Sequence, residues 1–386
     1  MSADRFIARK LKFQGKLAAV SIAVSFLVII VAVAVSSGFR HSVRDGVSTL
    51  TGDIRIAPSS VVAADGDPLP VHLPSEEELL AIPGVQSLRP VAVRAGIVRS
   101  GDVIHGVLVK GLPDRPDSSL CVSIPTRLAA ITGLQAGDEM TTYFVGEKVR
   151  VRKFRVTEVH RDVLEMDDNL VVYANLRDIQ RLNGWPEDQA SALEVTVDPA
   201  HRTNAGINDL TDEIGMYLVL SGEEAEEDLV ATSSVRTYPQ IFDWLDLLDF
   251  NVVVILVLMI VVAGFNMISG LLIVLLRNIA TIGTLKTLGM GDRAIGKVFL
   301  RVASGVVLKG MAAGNALALL FCLIQRSTHL LKLDPANYFV PYVPVHIDLP
   351  WILAADAVAF AAIMLLLLIP TLFIARVDPA QTVKAE

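Results

Sequence analysis

A membrane protein of four transmembrane α-helices, with a large α/β domain inserted between the first and second, is the fold class this sequence predicts. Three observations predict it. Hydrophobic residues make up 52% of the chain and charged residues 19%, with a mean hydropathy of +0.52, too apolar for a protein whose whole surface faces water. The apolar residues gather into four long runs that are nearly free of charge. Between the first and second run lies a region as polar as an ordinary domain.

The first run, Leu17 to Phe39, lies uncharged between Lys16 and Arg40. At roughly 1.5 Å rise per residue it can cross a hydrocarbon core of roughly 30 Å. The small residues Ala34-Val35-Ser36-Ser37-Gly38 leave a cleaved signal sequence as the rival reading. Against that, signal sequences carry a shorter apolar stretch of about 7–15 residues. Phe250 to Leu276 is also uncharged, Val302 to Gln325 is interrupted only by Lys309, and Leu349 to Ala375 only by Asp356. The predicted layout is an amphipathic segment at 1–16, spans at 17–39, 250–276, 301–325 and 349–375, a polar domain at 40–249, connections at 277–300 and 326–348, and a tail at 376–386.

Lys and Arg near span ends mark the cytoplasmic side. Arg5, Arg9, Lys10, Lys12 and Lys16 precede the first run, and Arg277, Lys286, Arg293, Lys297 and Arg301 lie between the second and third, whereas the 326–348 connection offers only Arg326 and Lys332. Both termini are therefore expected inside and the polar domain outside. Asp4 to Gln14 reads as a short surface helix with Phe6, Ile7 and Leu11 toward lipid and Arg9, Lys10 and Lys12 toward phosphates, or as a plain basic flank.

In the polar region Gly52-Asp53-Ile54-Arg55-Ile56 and Ala192 to Val197 alternate like half-buried strands. Val149 to Arg152 does the same until Lys153 breaks the alternation, which suggests a bulge. Ser75-Glu76-Glu77-Glu78 has the spacing of a capping box and opens a helix that Pro83-Gly84 stops. Helices are also expected from Leu176 to Asn183, ending at Gly184, and from near Asn208 to Leu220. Glu223, Glu224, Glu226, Glu227 and Asp228 form an acidic linker face or a metal site, and Asp162, Glu165, Asp167 and Asp168 a surface loop, a cation site or an acid pair.

Enzyme chemistry finds little support. No G-x-x-x-x-G-K-[ST] loop, H-E-x-x-H pair or G-x-S-x-G elbow occurs, so no catalytic, cofactor-binding or metal-binding residues are assigned. Cys121 and Cys322 fall in unlike segments and suggest no disulfide framework. A net charge of -7 argues against a nucleic-acid partner. Lys309 and Asp356 stand out, because a charge in hydrocarbon costs several kcal/mol unless paired or hydrated. They are expected either to pair across the third and fourth helices or to serve a transport or proton-relay role.

The segment from Asn278 to Met290, N-I-A-T-I-G-T-L-K-T-L-G-M, resembles the coupling element of ABC permeases of the FtsX/MacB superfamily. The resemblance implies that Thr281, Ile282, Gly283, Leu285, Lys286, Leu288 and Gly289 dock on a separate ATPase, which binds the ATP and Mg²⁺ that this chain does not. An amphipathic helix closed by Gly289 could place Ile282 and Leu285 in a partner groove and leave Lys286 wet; an interfacial helix without a partner is the alternative. Gly38-Phe39-Arg40, Gly52 to Ile56, Leu333 to Phe339 with Pro344, and Arg376-Val377-Asp378-Pro379-Ala380 look like the lipoprotein-releasing LolC/LolE-type permeases. Arg177 to Trp185 and Asn266 to Gly270 look like the members of that type from Bacteroidetes.

The resemblance implies a MacB-type periplasmic domain, the bacterial inner membrane, a second permease subunit forming a homo- or heterodimer, a LolD-like ATPase dimer and a lipoprotein substrate. A LolA-like chaperone is an open further partner, because Gly146-Glu147-Lys148 leaves room only for a tight turn where LolC carries its hook. Thr281 stands where many relatives carry an acidic residue. A MacB-like exporter and an FtsX-like regulator of a peptidoglycan hydrolase remain the alternatives. Acyl chains would pass walls supplied by Val28, Ile29, Val33, Ile255, Val257 and Leu258.

Overall fold

The structure, a computed structural model, describes residues 16–59, 69–72, 74–100, 103–114, 118–146, 149–161, 170–221, 229–334 and 338–371. The segment at 4–14, both acidic groups, Glu147-Lys148, Pro335 to Asn337 and the motif at 376–380 lie outside them. The chain divides into two compact units: a helical one, Met1–His41 with Leu245–Leu333 and Tyr342–Glu386, and a sheet one, Ser42–Trp244 with Asp334–Pro341.

Among the described residues four helices are long and apolar enough to cross a membrane. Helix α1 runs Lys16–Thr51 and precedes the sheet region in sequence, and the other three follow it. The apolar run in α1 stops at Phe39 but the helix does not, because nothing from Arg40 to Thr51 breaks it until Gly52 adopts φ +74. The Gly52 N–H then closes the last turn on the Ser48 carbonyl at 2.8 Å. A side chain at Gly52 would also meet Glu194 Cβ at 2.9 Å.

In the sheet unit, short helices α2 (Glu76–Leu80), α3 (Thr126–Thr132), α4 (Leu176–Asn183), α5 (Asn204–Ser221) and α6 (Ser234–Thr237) accompany eleven described strands. The helical unit is completed by α7 (Pro239–Arg277), α8 (Ile279–Thr287), α9 (Asp292–Thr328), α10 (Leu349–Leu366) and α11 (Leu368–Thr371).

The long helices bury residues at helical spacing: Ile22, Phe26 and Ile30 on α1, Ala263, Met267 and Leu271 on α7, Ile295, Phe299, Ala303 and Val307 on α9, and Ile352, Ala359 and Ile363 on α10. Close approach is set by Gly310 and Gly314 on α9. A Cβ at Gly310 would meet Ile22 Cγ2 at 2.7 Å, and one at Gly314 would run into the Ala23 carbonyl and Phe26. Small residues four apart let helices pack where apolar surface alone gives no preference for a neighbour over lipid. Gly38 and Pro344, two residues singled out in the sequence, touch as well, since a Cβ at Gly38 would overlap the Pro344 carbonyl. Buried Gln325 ties down the same connection, donating to Val343 O at 3.1 Å and accepting from Leu331 N at 3.0 Å.

The main sheet has nine strands in the order β11-β1-β10-β3-β4-β8-β5-β7-β6, and a further β3–β6 pairing closes the last six into a ring. These strands are β1 (Ile54–Pro58), β3 (Val85–Ser100), β4 (Val103–Leu112), β5 (Cys121–Pro125), β6 (Glu139–Phe144), β7 (Arg150–His160), β8 (Val171–Asn175), β10 (Ala192–Val197) and β11 (Leu229–Ser233). Short β2 (Val71–His72) pairs with β9 (Gln189–Ala190). Only β4·β8 and β5·β7 are parallel, so the sheet is mixed. Val98, Val109, Ile124, Phe144, Phe154 and Val172 fill the ring. On the four-strand wing, Ile54, Ile56, Leu193 and Val195 face Ile207, Leu210, Ile214 and Leu218 of α5. The opposite face of the wing is polar and carries the row Thr232, Arg55, Glu194, Arg89, directly paired across β11, β1, β10 and β3.

Several local expectations need correction. Lys153 pairs in unbroken register with Thr141, and the irregularity falls instead between Val122 and Ser123 opposite Val156 and Glu158. The alternation at Val149 and Val151 misled because both side chains are exposed. Ser75 does cap α2, but without a side-chain hydrogen bond, and Glu78 accepts from the Tyr217 hydroxyl rather than completing a box. Helix α5 starts at Asn204, not near Asn208. Strand β10 is buried on both faces and not half-buried.

Gly314→Leu should force α9 off α1 and cost about 1–3 kcal/mol, lowering the melting temperature of the full-length protein in detergent. Gly305→Ala, where nothing lies within 4 Å, should not.

Candidate functional site

Helix α8 begins at Asn278, whose side chain makes no cap to α8 and donates instead to the Val274 carbonyl of α7 at 2.8 Å. It ends in a glycine closure: Gly289 adopts φ +88 and Met290 N–H reaches Leu285 O at 3.0 Å. The expected orientation of its side chains is reversed in part. Ile282 is 2% exposed and belongs to the core of its own helical unit, with Leu285 packed against that core. Lys286 is not wet either, since its ammonium pairs with Asp292 at 2.9 Å and its side chain is only 10% exposed. What α8 offers outward is Thr281, Thr284, Thr287 and, at 79% exposure, Leu288. The physical reason is that a nine-residue helix between two long ones must bury its apolar stripe locally to be held at all.

Lys309 and Asp356 do not pair. Asp356 is buried and accepts from Asn315 Nδ2 at 2.5 Å, while Lys309 is exposed. Asn315 lies six positions beyond Lys309 on α9, about 9 Å further along the axis at 1.5 Å per residue. Depth read from the ends of the apolar run erred because α9 continues to Thr328. Two further polar contacts join the long helices: Asn266 Nδ2 to Ser21 Oγ, and Asp249, which accepts from Ser36 Oγ and pairs with Arg40. Arg40 and Asp249 end the first apolar run and precede the second, so each charge meets the other where lipid-suited sequence begins.

The last turns of α1, within the sheet unit, meet the polar face of the wing. Lys110 is 2% exposed, yet its ammonium donates to the Leu50 carbonyl at 2.8 Å, the Thr49 carbonyl at 3.3 Å and Glu194 Oε1 at 2.6 Å. Arg89 takes the other Glu194 oxygen at 2.7 Å. Burial pushes the Lys110 ammonium below its usual range, with Glu194 opposing that shift. A second anchor lies beside it, where Arg202 bridges Asp45 on α1 at 2.7 Å and buried Asp53 at 3.2 Å. Burial opposes the charge on Arg202, but the two carboxylates outweigh it and hold the guanidinium above its ordinary range. Asp53 also accepts from Val197 N–H at 3.0 Å. Unpaired carbonyls at a helix end favour cations, and here one buried cation supplied by the sheet, Lys110, meets them.

Residues 253–379, which contain α8, α9 and α10, match the family described as FtsX-like permease C-terminal. This part of the chain is an FtsX-like permease domain. The whole chain is similar to the lipoprotein-releasing system transmembrane protein LolC of Xylella fastidiosa, at 22% identity over 408 residues, covering 95% of this chain and 92% of that relative. LolC of Neisseria meningitidis serogroup B is 23% identical over 67% of this chain and 63% of its own length. Among solved structures, the periplasmic region of MacB from Actinobacillus actinomycetemcomitans aligns with 49% of this chain and 92% of its own at 16% identity, with a TM-score of 0.31.

Helix α7 of the permease leaves Phe250, Val254, Val257, Leu258, Val261 and Phe265 exposed along one side. Val257 and Leu258 thus lie where a lipid chain or a second subunit could touch them, but Ile29 is 1% exposed inside its own unit and drops out of the expected wall. The sequence reading missed the anchor altogether. Its signal was a lone Lys110 in the apolar strand Val103–Leu112 and a lone Glu194 in Ala192–Val197.

Glu194→Ala would leave Lys110 buried without its carboxylate and should destabilise the sheet unit of the permease by about 3–5 kcal/mol. The readout is faster deuterium uptake across β1, β3, β4 and β10 in the full-length protein. Asp212→Ala, which removes an exposed pair with Arg236, should leave uptake there unchanged.

Proposed function

We propose that this permease is the membrane subunit of an ATP-driven machine that extracts lipoproteins from the bacterial inner membrane for delivery to the outer membrane. The observation that carries the reading is the similarity to LolC along 95% of the chain, which joins the FtsX-like half and the sheet unit in one relative. Four helices of membrane length and the excess of Lys and Arg before α1 and between α7 and α9 support an arrangement with both termini in the cytoplasm and the sheet unit outside.

With no nucleotide-binding loop in this chain, ATP and Mg²⁺ belong to a cytoplasmic ABC ATPase dimer. The exposed threonine face of α8 and the Leu288 knob are its docking surface in this reading. Because Lys286 and Asp292 hold α8 against α9, a push on Leu288 moves α9 with it. A second permease subunit covers the exposed side of α7, and acyl chains pass beside Val257 and Leu258 before the outer domains expel them.

Depleting the protein and following acylated lipoproteins in separated inner and outer membranes by mass spectrometry tests the cargo. Mature lipoproteins should build up in the inner membrane soon after depletion. An unchanged distribution would transfer the assignment to export of another substrate or to control of a peptidoglycan hydrolase. Coupling has its own test. Leu288→Asp should lower permease-stimulated ATP hydrolysis at least tenfold while the protein remains folded and membrane-inserted, because it places a charge in the proposed contact and removes no internal packing.

A further inference from the structure

A cavity of about 330 Å³ opens on the polar face of the wing, between β1, β11 and the start of α7. That volume sits at the lower end of what small-molecule sites occupy. Its polar lining includes Arg55, Thr51, Thr232, Ser234, Thr237 and Tyr238. Thr51 and Thr237 spend their hydroxyls on backbone carbonyls. The other four side chains are unspent. Among the described residues the Thr232 and Ser234 hydroxyls and the Tyr238 phenol have no side-chain hydrogen bond, and the Arg55 guanidinium has no hydrogen bond or ion pair, with its Nε buried.

The obvious partner for Arg55 is taken. Glu194 stands directly opposite it on β10, but one carboxylate oxygen receives Lys110 and the other Arg89. One carboxylate therefore serves a patch holding three cationic side chains, and a guanidinium with a buried donor is left facing an open cavity. A buried donor without a partner costs about 1–3 kcal/mol, more when charged, so a site like this one gains by accepting an anion. A carboxylate offers two oxygens. A guanidinium fork and three hydroxyls converging from β1, β11 and the segment before α7 match the oxygens of a tetrahedral anion better. Tyr238 stays a donor, since burial raises its phenol against the opposing pull of Arg55.

We propose that this cavity binds a phosphate group, held by the Arg55 guanidinium and the hydroxyls of Thr232, Ser234 and Tyr238. The headgroup of an anionic phospholipid and free phosphate share that chemistry. The site does not depend on which cargo the permease moves.

The test uses the full-length permease in nanodiscs. In neutral phosphatidylcholine discs, inorganic phosphate should raise the melting temperature saturably if free phosphate is the ligand. In discs containing phosphatidylglycerol, native mass spectrometry should retain one tightly held phosphatidylglycerol if a headgroup is. In either case Arg55→Gln should weaken binding at least tenfold without lowering the melting temperature of the unliganded protein, because Arg55 has no internal partner to lose. Arg181→Gln, on the exposed last turn of α4, should change nothing. Absence of both ligands, or binding that Arg55→Gln leaves intact, overturns the proposal.

Discussion

A helix that runs on past its apolar stretch must still satisfy the carbonyls of its last turn, and in this permease Lys110 does so from inside a β-sheet. Much of the sheet unit follows from that contact. An ammonium at 2% exposure needs a carboxylate, so Glu194 must sit on β10 within reach of β4, and β10 must be buried on both faces. Glu194 is approached so closely by the chain leaving α1 that only glycine fits at position 52. The neighbouring Asp53 then turns inward to meet Arg202 and the Val197 N–H, which fixes the start of β1 against β10. One cation, one anion and one glycine thus set the register of α1, β1, β4 and β10 together.

The membrane helices were legible because their signal is one-dimensional: long uncharged runs need no partner to be recognised, and all four became helices. Their ends were not, since a helix continues until something stops it. Arg40 to Thr51 and Pro239 to Asp249 carry charges yet are helical. The strands at Ile54 and Ala192 and the helix from Leu176 to Asn183 with its Gly184 stop also followed from local pattern. The closed ring did not, because β3–β6 pairing joins residues far apart in sequence through backbone groups that every residue carries. Nor did the pairing of Asp356, where a neutral Asn315 won over a charged Lys309 because the two differ in both depth and face on α9.

The stretch from Asn278 to Met290 shows the same limit in finer form. It is a helix closed by Gly289. Which side faces out depends on α9, which supplies Asp292 for Lys286 and Ile295 and Phe299 for the core that Ile282 joins. The motif residues thus divide into those that hold the helix, Ile282, Leu285 and Lys286, and those left to touch something else, Thr281 and Leu288. A resemblance read residue by residue assigns docking to both groups alike; burial separates them.

The buried anchor also bears on why a charged solution persists where an apolar one would hold the unit together as firmly. Replacing a buried ion pair by packed apolar residues is often neutral or favourable for stability. Apolar contact between the end of α1 and the sheet would however be non-directional, and a helix resting on it could slide or rotate by a residue at little cost. Lys110 and Arg202 instead specify atoms: the Thr49 and Leu50 carbonyls and the Asp45 carboxylate, at spacings only one rotation of the helix satisfies. The anchor therefore sets geometry more than it adds stability. Because the last turns of α1 are held at these named atoms, any turn of those residues is tied to a turn of the sheet they rest on.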